Sequence, residues 1–121
     1  MSLKRIILEM GTGNDLYGED YTKAARRAVQ DALHHSSLSL FRTLGLDRDQ
    51  MQVEVTIGVQ QPDSVDIDAI AAEVPFGTVT VKVEPGGLNV VDAEAETTSV
   101  IAAAAVAVRL DLPEGKFVLG G

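Results

Sequence analysis

Two short segments of the chain place a β-branched residue at every second position, and this alternation constrains the fold more than any other feature. Residues 52–59 (QVEVTIGV) and residues 78–84 (TVTVKVE) both follow it. Because successive side chains of a strand point to opposite faces, each segment predicts a β-strand with one apolar and one polar face. The sequence therefore requires a second layer that covers one side of a sheet.

Two segments with helical spacing supply that layer. After Asp20, a suitable N-cap, apolar residues recur every three or four positions from Tyr21 to about residue 35. A shorter helix is predicted after Asp66, and Pro75 would end it. Both helices carry an apolar stripe that can pack against the predicted sheet.

Two further segments complete the predicted sheet. Residues 4–10 (KRIILEM) form a short apolar run bounded by Gly11, which is typical of a buried strand. Residues 99–110 (SVIAAAAVAVRL) are ambiguous, because four consecutive alanines favour a helix whereas the valines share strand parity. We predict a strand there. Residues 88–99 are predicted to form an acidic loop with a short extended piece around residues 90–91.

The resulting order is β-α-β-α-β-β, which predicts a single α/β (α+β) domain over residues 1–121. Right-handed crossovers would place both helices on one face of a mixed four-stranded sheet, giving a two-layer sandwich. A length of 121 residues suits one domain. Met1–Leu3 resembles an appended start, and residues 113–121 are predicted to form a flexible tail.

The composition excludes several classes of site and partner. The chain contains no cysteine, which excludes a disulfide scaffold, a thiolate zinc site and cysteine catalysis. Its formal net charge of −8 at pH 7 argues against a nucleic acid partner, because affinity for phosphates requires positive charge. No apolar run approaches the roughly 20 residues of a membrane span, and the start lacks a signal-peptide pattern. We therefore expect a cytoplasmic protein that binds neither nucleic acid nor membrane.

The polar face of the predicted sheet suggests self-association. It would carry Glu54, Thr56 and Lys82 beside a run of alanines, which is neither an ordinary core nor a fully charged surface. Small side chains allow another backbone to approach closely, so we expect a homo-oligomer that covers this face. A partly solvated open face is the alternative, because antiparallel sheets often leave one face wet.

Gly11–Asp20 (GTGNDLYGED) is the strongest candidate for a site. It contains three glycines and is predicted to be a loop between the first strand and the first helix. Backbone N–H groups at such a position favour an anion, and Lys23, Arg26 and Arg27 would supply countercharge. Asp15 is the single candidate metal ligand, and a weak one. Without a metal, its carboxylate would orient a polar group of the ligand. The alternative is a tight turn with an N-cap, in which these basic residues pair with acids on a solvated helix face.

Four residues of this segment carry a resemblance to a known family. Gly11, Gly13, Asp15 and Gly18 match the G-x-G-x-D-x-H-G hallmark of a small family of conserved hypothetical proteins from bacteria and plants. Tyr17 stands where the hallmark has histidine, and a phenol replaces neither an imidazole metal ligand nor a base near neutral pH. The resemblance implies a site here without naming a reaction. The predicted ligand-binding residues are Gly11, Gly13, Asp15, Tyr17, Gly18, Lys23, Arg26 and Arg27.

Two function classes follow from these observations. The first is an oligomeric small-molecule-binding protein, or an enzyme of unassigned reaction, that holds an anionic or polar ligand at Gly11–Asp20. The second is a structural or interaction protein in which the glycine-rich segment contacts another subunit. No catalytic residue or cofactor is assigned. His34 and His35 are too few to form a metal site, and we predict a role at the end of the first helix instead.

Overall fold

The structure, a computed structural model, describes residues 3–16, 18–34 and 51–111. Tyr17, His35 and the predicted tail at residues 113–121 lie outside the described residues. A 3₁₀ turn at Pro62–Ser64 precedes the second helix. The elements in chain order are β1 (Leu3–Asp15), α1 (Tyr21–His34), β2 (Gln52–Val59), α2 (Ile67–Ala71), β3 (Thr78–Pro85), β4 (Leu88–Asp92) and β5 (Thr97–Asp111).

The predicted fold class is confirmed, as is the strand predicted at residues 99–110. The strands follow the order β1-β5-β2-β3, with β4 also paired to β5. The β2–β3 pair is parallel and the other pairs are antiparallel, so the sheet is mixed. It has a fifth strand, β4, where the sequence predicted a loop with a short extended piece.

The long central strand β5 organises the sheet. One edge of β5 pairs with β1 along most of its length. The other edge pairs first with β4 and then with β2, so that Leu88 lies opposite Ile101 and Gly58 lies opposite Ala103. Gly87, which immediately precedes β4, has a positive φ of 64°. As a result β4 continues the line of β2 along the same edge of β5.

The core lies between the sheet and the two helices. Helix α1 packs on β1 and β5, while α2 packs on β3 and against α1. The Asp66 carboxylate accepts hydrogen bonds from the backbone N–H groups of Asp68 and Ala69, which confirms the predicted cap of α2. The side chains predicted to be buried on β2 are indeed buried, namely Val53, Val55, Ile57 and Val59.

Strand β1 is longer than the sequence predicted, which corrects the assignment of Gly11–Asp20 as a loop. Gly11 and Gly13 lie within β1, opposite Ala104 and Ala102 of β5. Neither has a positive φ. A Cβ atom on Gly11 would stand 2.5 Å from the carbonyl oxygen of Ala28, so the glycines let the backbone of α1 lie directly on β1. Only residues 16–20 connect the strand to the helix.

Candidate functional site

The connection between β1 and α1 is organised by Asp15, which is only 5% exposed. One carboxylate oxygen, Oδ2, accepts the backbone N–H groups of Gly18 at 3.1 Å and Asp20 at 3.0 Å. The other, Oδ1, lies 3.6 Å from the ammonium nitrogen of Lys23. The side chain therefore closes its own turn and fixes the start of α1.

These contacts favour the ionised form of Asp15. The hydrogen bond from the Asp20 backbone is the main cause that lowers the pKa of this carboxyl. Burial acts in the opposite direction, but the charge of Lys23 and the hydrogen bonds from Gly18 and Lys23 add to the lowering, so the pKa lies below its ordinary value. Asp15 is therefore a carboxylate at neutral pH and a poor proton donor.

Asp20 caps α1 as the sequence predicted. Its carboxylate accepts the backbone N–H of Lys23 at 3.0 Å, and its carbonyl oxygen accepts the backbone N–H of Ala24 at 3.1 Å. Glu19 immediately before it has a φ of 46°. The turn therefore uses the left-handed region at Glu19 rather than at Gly18.

The three basic residues predicted to hold an anion contact three different partners. Lys23 contacts Asp15, whereas the Nε of Arg26 donates to Glu73 at 2.7 Å. Arg27 donates from Nη1 to the carbonyl oxygen of Asn14 at 2.7 Å. The structure thus brings Asp15, Gly18 and Lys23 together, but it directs Arg26 and Arg27 elsewhere.

Glu73 joins the two helices. It accepts hydrogen bonds from Arg26 and, at 3.1 Å, from the side-chain amide of Gln30. Burial raises the pKa of Glu73, but the hydrogen bonds from these two residues and the charge of Arg26 outweigh it, so the pKa is lowered overall. Arg26 therefore serves to fix α1 against the segment that follows α2.

The sheet face opposite the helices carries the second notable feature. Its centre is a shallow groove of about 490 Å³. At the groove β5 presents only Ala103 and Ala105 and β2 presents Gly58, so no large side chain fills the space, while Met10 and Thr56 form its sides. The lining residues on this face are Met10, Thr12, Thr56, Gly58, Ala103 and Ala105.

Large apolar side chains are exposed around this groove. Met10 is 68% exposed and Leu88 is 55% exposed, and Leu8 and Val90 are also exposed. Strand register places all four on the groove side, since they lie opposite the odd-numbered residues 99–107 of β5. We call this surface, which comprises the groove and these four side chains, the open face.

The charged residues beside the groove pair within the chain. Arg109 lies 3.5 Å from Glu54, and Lys82 lies 2.8 Å from Glu84. The hydrogen bond to Glu84 raises the pKa of Lys82 above its ordinary value. These two pairs add no net charge to the open face, in a chain whose formal charge is −8.

The contacts that were not predicted from sequence include those of Asn89 and Asp31. The side-chain amide of Asn89 donates to the Tyr21 hydroxyl at 2.7 Å, and its Oδ1 is buried without a hydrogen-bond partner. The carboxylate of Asp31 accepts the backbone N–H of Thr12 at 2.9 Å. Neither contact has a local sequence signal, because each joins residues that are far apart in the chain.

Over residues 3–16, 18–34 and 51–111, no group of three or more histidine, cysteine, aspartate or glutamate residues is arranged to hold a metal ion. Within the same ranges no helix is long and apolar enough to cross a membrane.

Comparison with known proteins places the chain in a family. Residues 5–108 match the family described as conserved hypothetical protein (Lin0512_fam), and the chain belongs to this family. The resemblance to a family without an assigned function is thereby confirmed. No curated protein matches the chain.

A solved structure shares the fold. The chain is similar to the crystal structure of an FtsZ-like protein of unknown function from Nostoc punctiforme PCC 73102, with 36% sequence identity and a TM-score of 0.80. The similarity covers 93% of this chain and 99% of that one. The α+β architecture therefore extends to a relative whose function is also unassigned.

Proposed function

We propose that this member of the Lin0512_fam family is a self-associating protein whose open face binds a second copy of the chain. The concentration of exposed apolar side chains around the groove carries this proposal. Contiguous apolar surface of this kind is uncommon on proteins that remain monomeric. Met10 and Leu88, on the two sides of β5, would lose most of their contact with water in such an assembly.

The charge distribution favours a second copy as the occupant. Two chains that each carry a formal charge of −8 repel one another over most of their surfaces. On the strands beside the groove Arg109 offsets Glu54 and Lys82 offsets Glu84, and the Asp31 carboxylate, which also lines the groove, accepts the backbone N–H of Thr12. The open face is therefore a region where two copies can approach without strong repulsion.

The shape of the face is also compatible with a symmetric contact. Four strands about 4.8 Å apart and about eight residues long, at about 3.3 Å per residue, give a projected area of about 500 Å². The smallest specific interfaces bury about 600 Å² per partner, and a corrugated surface exceeds its projection. Ala103 and Ala105 at the centre would let the two sheets approach closely around a twofold axis.

Sedimentation velocity at micromolar concentration tests this proposal. The wild type should sediment as a species heavier than the 12.8 kDa monomer. Ala103→Glu should shift the population toward monomer, because the contact would bury an unpaired charge. Ala72→Glu is the matched control, since Ala72 is exposed just after α2, on the helical side. A monomeric wild type, or equal behaviour of the two variants, would contradict the proposal.

A small anionic or polar ligand at the start of α1 is the second candidate, whether the protein is a binder or an enzyme. The supporting observation is the state of Lys23, whose side chain is 50% exposed and only loosely paired with Asp15. Its ammonium group lies near the N-terminal end of α1, where a negative charge is stabilised. Asp15, Gly18 and Lys23 are the members of the predicted site that would take part.

A further inference from the structure

Strand β1 lies at the edge of the sheet over the described residues, next to β5. An edge strand offers backbone N–H and C=O groups to which a strand of another chain can add. In an antiparallel pair, alternate residues direct these groups away from the partner strand. The bonds made by Thr12 and Asn14 with α1 show that these two residues direct theirs outward from β5.

Two side chains of α1 each bond one of these outward groups. The Asp31 carboxylate accepts the backbone N–H of Thr12 at 2.9 Å. Arg27 donates to the carbonyl oxygen of Asn14 at 2.7 Å. Arg27 and Asp31 are four residues apart and so lie on the same side of the helix. The carboxylate of Asp31 accepts one bond and the guanidinium of Arg27 donates the other, so both hydrogen bonds are charge-assisted.

We infer that Arg27 and Asp31 close the edge of β1 at residues 12–14 to strand addition, which opposes association of copies of the chain through this edge. A strand that added at residues 12–14 would have to break both hydrogen bonds. It would then pack against the two charged side chains that had made them. Charged groups at a sheet edge oppose such pairing, because they would be desolvated without partners.

The need for such a device follows from the strand itself. Residues 6–10 (IILEM) are apolar except for Glu9 and begin with two strand-forming isoleucines, and the side chains of Leu8 and Met10 are exposed. Segments of this kind pair readily with other chains when their edge is accessible. Closing residues 12–14 shortens the length of edge over which an incoming strand could align.

The glycines of β1 place α1 low enough for these two bonds. Gly11 and Gly13 let the helix backbone contact the strand, with Ala28 directly over both positions. At that height Arg27 and Asp31, on the flank of the helix, reach around the edge of β1. The conformation of β1 and the protection of its edge therefore depend on the same close approach.

Amide hydrogen exchange of the wild type gives the first test. The Thr12 amide should be protected, and Asp31→Ala should accelerate its exchange about tenfold or more, as expected for loss of a charge-assisted hydrogen bond. Arg26→Ala, on the same helix but bonded to Glu73, should leave it unchanged. A Thr12 amide that exchanges equally fast in the wild type and in Asp31→Ala would overturn the inference.

Removing both bonds gives the second test. Arg27→Ala/Asp31→Ala should raise the weight-average mass in light scattering and produce the infrared amide I band of intermolecular β-sheet. Arg26→Ala/Glu73→Ala is matched in charge and also removes one ion pair, but should do neither. Both pairs are also made in the Ala103→Glu background, so that the result does not depend on the open face. Identical association of the two double variants would contradict the inference. If Arg27→Ala/Asp31→Ala fails to fold, the exchange of the Thr12 amide in Asp31→Ala decides the question.

Discussion

Gly13 of strand β1 lies directly beneath Arg27 of helix α1, and a Cβ atom on Gly13 would stand 2.6 Å from the carbonyl carbon of Arg27. No side chain fits in this space. The helix is consequently built with alanines at Ala24, Ala28 and Ala32, all fully buried against the sheet. The glycine-containing segment that the sequence presents as a loop is in fact the surface on which α1 rests.

The first prediction follows from this contact. Gly13→Ala should lower the free energy of unfolding by about 3 kcal/mol or more, because the added methyl group must push backbone away from backbone. Chemical denaturation measures the loss. Gly58→Ala is the control, since its Cβ would meet its nearest neighbour, the Cα of Gly86, at 3.4 Å, an ordinary contact. If both variants lost equal stability, the close approach of α1 would not be the reason for glycine at position 13.

The second prediction concerns Gly87, which turns the chain from β3 into β4. Its φ is 64°, and a Cβ atom there would collide with the carbonyl oxygen of Ile101 and stand 2.8 Å from that of Gly58. Gly87→Ala should therefore destabilise the fold by about 2 kcal/mol or more and speed amide exchange in β4. Asparagine tolerates this φ but keeps the collision. Full recovery of stability in Gly87→Asn would show that conformation alone, and not the contact with β5, requires glycine.

The accuracy of the fold prediction depended on whether burial left a pattern in the sequence. Strand β2 was predicted with its observed bounds because its residues alternate between a buried and an open face. Strand β4 has no such pattern: Val90 and Val91 are both exposed, and backbone pairing with β5 holds the strand in place. The end of β1 was missed because glycine in a sequence favours a loop unless the neighbouring helix is known.

The candidate site was predictable only where its contacts are local. Asp20 as the cap of α1, and the proximity of Asp15 to Lys23, follow from residues that lie on either side of one short turn. The partner of Arg26 could not be predicted in the same way, because Glu73 is 47 positions away and is brought near by the packing of α2. Clustering of basic residues in sequence therefore overstated how far their charges converge in space.

The third prediction tests the second candidate function. If an anion binds at the start of α1, inorganic phosphate should raise the melting temperature of the wild type, and added sodium chloride should reduce the shift. Lys23→Ala should abolish the shift while changing stability by no more than about 0.5 kcal/mol, since Lys23 is half-exposed and its ammonium nitrogen lies 3.6 Å from Asp15. Lys82→Ala removes the same charge from the open face and should respond like the wild type. Equal responses of wild type and Lys23→Ala to phosphate, and to carboxylates tested in the same way, would exclude an anion site at Lys23.

The last prediction is the pH dependence that Asp15 imparts to folding. Because the backbone N–H of Asp20, together with Lys23 and Gly18, lowers the pKa of this carboxyl in the folded state, folding is favoured by its ionised form. That contribution is complete above the ordinary value near 3.8 and is lost as the pH falls through the lower folded value. Asp15→Asn keeps the shape but not the charge, so at pH 7 it should be less stable than the wild type by about 1–3 kcal/mol.

The difference between wild type and Asp15→Asn should then narrow below about pH 4, where the wild-type carboxyl takes up its proton. Urea unfolding of both proteins at a series of pH values between pH 2.5 and pH 7, with each pH controlled to about 0.2 units, measures this convergence of the free energies of unfolding. Asp63→Asn, at an exposed carboxylate in the 3₁₀ turn, should change the stability at pH 7 by no more than about 0.5 kcal/mol. A constant gap between Asp15→Asn and the wild type across the whole range would mean that the ionised carboxylate does not hold this turn, since an effect of shape alone has no reason to disappear in acid.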